Sequence, residues 1–325
     1  MRIILHSYFA LLFVFTFCAE SFGQGTTTLD NIICADPFIY ADKQSKTYIL
    51  TGTAYNASSN NFWTSKDLKT WSGPYNRIDW NKKSWKGDSP AIWAPEIHKY
   101  RGKYYCFATF TNNSIIHGEV NGRKLPYRNT HIFVSQKPDG PYKEISSKNY
   151  FKANKCTLDG TLWVESDGTP YMVYCYEWIQ AVDGRMEVVK LKKNLKTVRG
   201  KSIQLFKASD GKWKNNQVTD GPFLFKTQTG KLGMLWSTGS GGKYVQGVAY
   251  SSSGKITGPW IQDTELLTPA DHGHGMLFKT FDNKLMLVCH TWKYDKQGKK
   301  TTRYPVLFEM DDRGDKLKII KKVSF

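Results

Sequence analysis

Helical periodicity is almost absent from this 325-residue chain, which also lacks CxxC pairs and membrane-length apolar runs and has fewer acidic than basic residues. Each absence excludes something. Without apolar residues recurring every three or four positions, an all-α or alternating α/β fold has little to build helices from. No cysteine belongs to a CxxC pair, and those after Cys18 (Cys34, Cys106, Cys156, Cys175, Cys289) are widely spaced. That pattern is neither a zinc site nor a disulfide framework, so buried free thiols are expected. After the leading segment no stretch nears the roughly 18 apolar residues of a membrane span. Only 28 Asp and Glu stand against 46 Lys and Arg, a formal charge of +18. The lysines are scattered through turns such as Lys192-Lys193 and Lys299-Lys300. No zinc-finger, RRM or helix-turn-helix pattern accompanies them, which argues against nucleic acid as a partner.

Residues 1–23 have the layout of a secretory signal: Arg2, an apolar run from Ile3 to Phe17, then the small residues Ser21 and Gly23. Phe17 is bulky where a lipoprotein signal needs a small residue before its cysteine. Residues 24–325 are therefore expected to be exported, to the periplasm or beyond the cell, as one domain and a monomer.

What the chain does have is a repeat. The strands "KTYILTG" (46–52), "KYYCFAT" (103–109), "PYMVYCY" (170–176), "KLGMLWS" (231–237) and "KLMLVCH" (284–290) share one form, and a second apolar strand follows each. Five such units predict an all-β, five-bladed β-propeller whose innermost strands face a central channel. Counting back from the aligned residues Tyr48, Tyr171 and Leu232, Asp36, Asp159 and Asp220 each lie twelve positions earlier. The count puts all three carboxylates in one phase of their blades; His274 and Trp93 lie eleven before Leu285 and Tyr104. Carboxylates crowded into one cavity must differ in pKa, as general acid and general base chemistry requires. Glycoside hydrolysis uses such a pair. Trp93, Phe38, Phe62, Trp163, Trp178 and Trp236 are near these positions in sequence and offer aromatic faces for a sugar ring. Trp71 and Trp260, in outer turns, read as packing between blades, and Glu165 as a solvated turn residue. A lone histidine such as His274 in "DHGHG" makes no metal set by itself.

In order along the chain, "ADPFIY" (35–40), "WAPEI" (93–97), "LDGTLWVESDGTPYMVY" (158–174), "TDGPFLF" (219–225) and "GHGM" (273–276) resemble glycoside hydrolase family 43. The resemblance implies a five-bladed inverting enzyme of arabinofuranosidase, xylosidase or arabinanase type, acting on oligo- or polysaccharide. It implies Asp36 as general base and Asp159 as the carboxylate that orients the acid and tunes its pKa. Asp220 falls where the family usually has Glu in a Glu-Gly-Pro context, one methylene longer, and Glu177 in "YCYEW" is the rival acid. Trp93, Glu96, Phe38, Trp178 and His274 are expected at the sugar. His274 also admits a calcium ion in the channel, although no cofactor is required. A glycan-binding propeller weakened in catalysis, or one serving protein interaction, is the alternative. The segment 111–130 is expected to set specificity.

Overall fold

The computed structural model describes residues 25–55, 59–213 and 217–324; the expected export signal lies outside them. The described residues form five sheets in sequence order, antiparallel except where Ile78–Asp79 pairs in parallel with Tyr142–Glu144 at the edge of blade two. Their innermost strands are Cys34–Asp42, Ala91–Tyr100, Thr157–Val164, Asp220–Lys226 and Gly273–Lys279, packed side by side around a closed ring. The chain is a five-bladed β-propeller.

Inner strands are buried almost without alternation, as in Thr47–Ala54, because a neighbouring blade covers each face of the sheet. Outer strands such as Val198–Lys207 are largely exposed. This explains why the second strands read as continuous apolar runs. The core is accordingly divided into five clusters, one per blade interface. Trp71 is fully buried between blades five and one, and Trp260 packs between blades three and four. Glu165 corrects the sequence expectation: it is not merely solvated, because its Oε1 accepts the Ile256 N–H (2.8 Å) across the interface of blades three and four. All five described cysteines are buried and free. Among the described residues no helix is long and apolar enough to cross a membrane.

The ring closes without a shared strand. The N-terminal strand Thr26–Thr28 pairs with Thr70–Asn76 at the outer edge of blade one, and blade five is completed by its own strand Lys318–Val323. Side chains must therefore hold the seam between blades five and one. Leu29, Ile39, Leu50 and Trp71 pack there against Phe278, Met286, Val288 and Leu307. The buried Tyr48 stacks on Phe281 at 4.1 Å, and its hydroxyl oxygen accepts the Phe281 N–H at 3.0 Å. Tyr48→Phe leaves that N–H without its acceptor and is expected to cost about 1–3 kcal/mol in chemical denaturation, with an unchanged circular dichroism spectrum. No measurable loss would show that packing alone carries the seam.

Candidate active site

Each innermost strand breaks register near its start, between Ala35 and Phe38, Trp93 and Glu96, Leu158 and Thr161, Asp220 and Phe223, and Gly273 and Met276. In every break the first extra residue has a left-handed backbone: Asp36 (φ 50°), Ala94 (42°), Asp159 (53°), Gly221 (52°) and His274 (50°). Such bulges redirect a side chain, and strained φ at non-glycine residues gathers at functional sites. The fivefold bulge aims Asp36, Asp159 and His274 at one place.

This register corrects the sequence count. Asp220 is not in phase with Asp36 and Asp159; it precedes the bulge, in the position of Trp93 and Leu158, and Gly221 is their true counterpart. Two things shifted the count: the turn of blade one (43–46) is a residue shorter than those of blades three and four (165–169 and 227–231), and Leu232 is the register equivalent of Pro170, not of Tyr171. Blade four cannot place a side chain at the bulge itself. A Cβ on Gly221 would stand 2.7–2.9 Å from the His274 ring.

Asp36, Asp159 and Asp220 nevertheless line one cavity of about 600 Å³ at the mouth of the channel, within the range of small-molecule sites. Asp36 is surrounded by donors and cations. Its Oδ2 accepts the Thr53 hydroxyl (2.6 Å), and its Oδ1 is 3.2 Å from His274 Nδ1. Burial pulls its pKa upward, but His274, Arg303 and Thr53 outweigh that and hold it at about 2. Its own N–H donates to His290 Nδ1 (3.1 Å). That bond leaves Nε2 to carry the proton of a neutral ring, consistent with burial pushing His290 down to about 3 against the pull of Asp36. His290 stacks on Tyr244, whose hydroxyl donates to Asp220 Oδ2 (3.1 Å).

Asp159 and Asp220 have the opposite environment. Burial raises both above the ordinary carboxylate range, and neighbouring carboxylates add to the shift although His274 opposes it. Asp159 Oδ2 accepts the Gly221 N–H (3.0 Å), so it grips the backbone beside Asp220. His274 answers all three. Burial would lower its pKa, but Asp36, Asp159 and Asp220 overcome this and raise it.

Trp93, Glu177 and Trp178 also line the cavity. Glu177 is ion-paired with Arg128, whose guanidinium sits 4.2 Å over the Trp93 ring. Phe38 and Glu96 do not line the cavity. Phe38 lies in the core beside Phe223 and His98. Glu96 is 1% exposed and faces His98 at 2.9 Å. Both follow the bulge, so nearness in sequence to Asp36 and Trp93 does not carry them to the cavity. Phe62, Trp163 and Trp236 likewise belong to blade interfaces.

Sequence reasoning missed Arg128, Tyr244, His290, Trp292, Lys300 and Arg303. Segment 111–130 is a β-hairpin arm, the paired ends of Lys103–Val120 and Arg123–Ser135. The arm packs against blade three. Arg123 lies 4.4 Å over Trp178, and His117 Nε2 lies 3.3 Å from Cys156 Sγ. No group of three or more His, Cys, Asp or Glu among the described residues is placed to hold a metal ion. A calcium ion would need a cage of oxygen ligands, and His274 brings a nitrogen already facing carboxylates, so the fit is poor and no step is routed through a metal.

The family model for glycosyl hydrolases family 43 matches residues 31–316. The chain belongs to glycoside hydrolase family 43. It is similar over 89% of its length, at 34% identity and TM-score 0.75, to 96% of an endo-arabinase from Bacteroides thetaiotaomicron VPI-5482. An endo-1,4-beta-xylanase from the same organism (19% identity, 92% of this chain and 100% of that one, TM-score 0.70) shares the fold. So does an alpha-L-arabinofuranosidase from Lactobacillus brevis (16% identity, 87% and 94%, TM-score 0.69). No curated protein matches. As a family 43 chain this is a glycoside hydrolase of plant polysaccharide.

Gly221→Ala tests the crowding at the axis. It is expected to destabilise by about 1–3 kcal/mol, and by more than Gly230→Ala, which has a left-handed φ of 86° but no atom within 4 Å of its would-be Cβ. Equal losses in thermal denaturation would mean that the His274 ring does not occupy that space.

Proposed function

We propose that the chain removes α-L-arabinofuranosyl residues by single displacement with inversion, with Asp36 as general base and Asp220 as general acid. One arrangement carries the reading: both carboxylates are buried in one cavity, but Asp36 accepts the Thr53 hydroxyl and has His274 Nδ1 at 3.2 Å, which hold it ionised, whereas for Asp220 burial, with Asp36 and Glu177, outweighs His274 and the Tyr244 hydroxyl and raises its pKa. An inverting glycosidase needs that division. One group must be ionised to take a proton from water, and the other protonated to give one to the leaving oxygen.

In this mechanism Thr53 and His274 fix the Asp36 carboxylate, which takes a proton from a water attacking the anomeric carbon. Asp220 protonates the departing glycosidic oxygen as the bond breaks. Asp159 acts through position: its Oδ2 holds the Gly221 N–H and so fixes the backbone beside Asp220, while Asp36 and Asp220 in turn raise its own pKa. The shorter arm of Asp220 starts from the residue before the bulge. Glu177 ranks second as the acid: burial raises its pKa too, but Arg128 opposes that shift and already engages one of its oxygens. Trp93 and Trp178 offer stacking faces, and Arg128 and Arg123 pack on those rings. The arabinose preference is supported by the 34% identity to a protein described as an endo-arabinase. The xylanase relative, below 25% identity, adds the fold and no weight for xylose. Export is part of the proposal, resting on residues 1–23.

The direct test is proton NMR of 4-nitrophenyl α-L-arabinofuranoside and arabino-oligosaccharide hydrolysis. The first product should be the β-anomer, and an α first product would refute inversion. Asp36→Asn should abolish turnover while the protein still folds. Asp220→Asn should slow unactivated arabino-oligosaccharides by about 10²–10⁴-fold, with far less effect on an aryl glycoside whose leaving group needs no proton. The same leaving-group pattern in Glu177→Gln instead would move the acid to Glu177. The pH dependence follows from the signs. Activity requires Asp36 ionised, so it should persist well into acid. It also requires the acid protonated, so kcat/KM should fall on a basic limb above the ordinary carboxylate range, and Asp220→Asn should remove that limb.

A further inference from the structure

The end of blade three that points away from the cavity carries cations that the fold does not pair. Leu158, beside Asp159, is level with Cys175 and Met186 across the sheet, and Leu191 lies five residues further along, roughly 17 Å at the rise of a strand. The hairpin that turns there joins Arg185–Leu191 to Val198–Lys207. Lys190, Lys192, Lys193, Lys196, Arg199 and Lys201 are all exposed on it, and no Asp or Glu occurs between positions 188 and 209. A neighbouring loop adds to them. The Tyr150 hydroxyl donates to the Leu195 carbonyl (2.8 Å), and its ring packs with Leu191 and Leu195. Exposed Lys148 and Lys152 flank that tyrosine in sequence.

The nearby carboxylates are engaged elsewhere or too few. Glu187 is taken by Lys155 (2.6 Å). Asp183 and Asp210 accept hydrogen bonds from Ser209 and the Lys207 N–H, at the opposite end of the hairpin. Asp167, in the adjoining turn, is held low chiefly by the Thr169 N–H, and Lys190 and Lys193 add to that. Among the described residues none of the eight cations forms an ion pair; Lys190 has the Tyr171 ring at 5.8 Å. Lys190 and Arg199 even stand directly opposite each other across the two strands, where like charges cost stability. Blade five shows the ordinary solution: Arg313, Lys316 and Lys321 at its outer edge pair with Asp311, Asp263 and Glu309. Guarding a sheet edge against other strands accounts for Arg199 and Lys201. It does not account for the turn lysines or for Lys148 and Lys152.

We propose that this end of blade three is an interaction surface for an extended acidic polysaccharide, a polyuronate, held outside the cavity. Seven of the eight cations are lysines, point charges on flexible stems. They suit a repeating polyanion better than a single anion gripped in fixed geometry. Among the described residues 188–202 no large apolar side chain is exposed, so the hairpin has nothing to insert into a bilayer. A glycan is the polyanion that fits a glycoside hydrolase of plant polysaccharide. Bound at the far end of the blade, it leaves the cavity free and raises the local concentration of glycan around it. The surface goes beyond the hydrolytic reading and stands whichever bond the cavity cleaves.

The test is biolayer interferometry of the full chain on immobilised polygalacturonate and on the same polymer with its carboxyl groups reduced. The wild-type protein should bind the acidic polymer alone, and binding should fade as salt rises. Lys192→Ser, Lys193→Ser and Lys196→Ser together should weaken it about tenfold. Lys318→Ser, Lys321→Ser and Lys322→Ser together remove the same charge from blade five and should leave binding nearly unchanged. Circular dichroism checks that both variants fold. No binding, equal binding to the two polymers, or equal loss in the two variants would overturn the surface, the last by assigning attraction to net charge alone. Binding to phosphatidylglycerol vesicles but not to polygalacturonate would overturn it in favour of a membrane. Polygalacturonate carries no arabinose, so a failure here leaves the hydrolytic reading intact, and a failure to hydrolyse arabinosides leaves the surface intact.

Discussion

A single imidazole at the propeller axis allows three carboxylates to share one cavity. Buried together without a cation, Asp36, Asp159 and Asp220 would repel one another and drive each other neutral. His274 places Nδ1 3.2 Å from Asp36 and 4.0 Å from Asp159, so the repulsion is resolved unequally. The carboxylate nearest the ring stays charged and the more distant ones are protonated more readily. The backbone supports the arrangement. The Ser237 hydroxyl accepts the His274 N–H (2.7 Å), and glycine at 221 leaves space for the ring. The proposed division of labour between base and acid thus begins with the position of one ring.

Much of this was legible in the sequence because it repeats. Five similar strand pairs could bury their two faces only against one another, which is a propeller. Asp36, Asp159 and His274 occupy equivalent bulges, and equivalence survives in spacing. Asp220 was found for an imperfect reason: Leu232 corresponds to Pro170 and not to Tyr171, and the shorter turn of blade one masked the one-residue offset, so the count hid the fact that Asp220 stands one residue before the bulge. Phe38 and Glu96 were placed by nearness to Asp36 and Trp93, and the bulge between them turns neighbouring residues to different surroundings. Arg128, Tyr244, Trp292 and Arg303 left no signal. They reach the cavity from second and third strands or from the hairpin arm, where only tertiary packing decides which side chain arrives.

The architecture separates what must be rigid from what can vary. The three carboxylates of the cavity sit on innermost strands clamped between neighbouring blades. The Arg128–Glu177 pair, Trp178 and the Trp292–Arg303 wall come from the hairpin arm, a four-residue helix and strand ends around the rim. Changes at the rim can alter the sugar accepted while the axis keeps its chemistry, as expected when function is a site carried by a fold.

Carbon-13 NMR titration of the aspartate carboxyl groups, assigned by single Asp→Asn variants, tests the central claim most directly. Asp36 should remain ionised below the usual carboxylate range, while Asp159 and Asp220 should take up protons above it. Titration of all three near the ordinary value, or Asp36 as the most basic of them, would contradict a site polarised by His274.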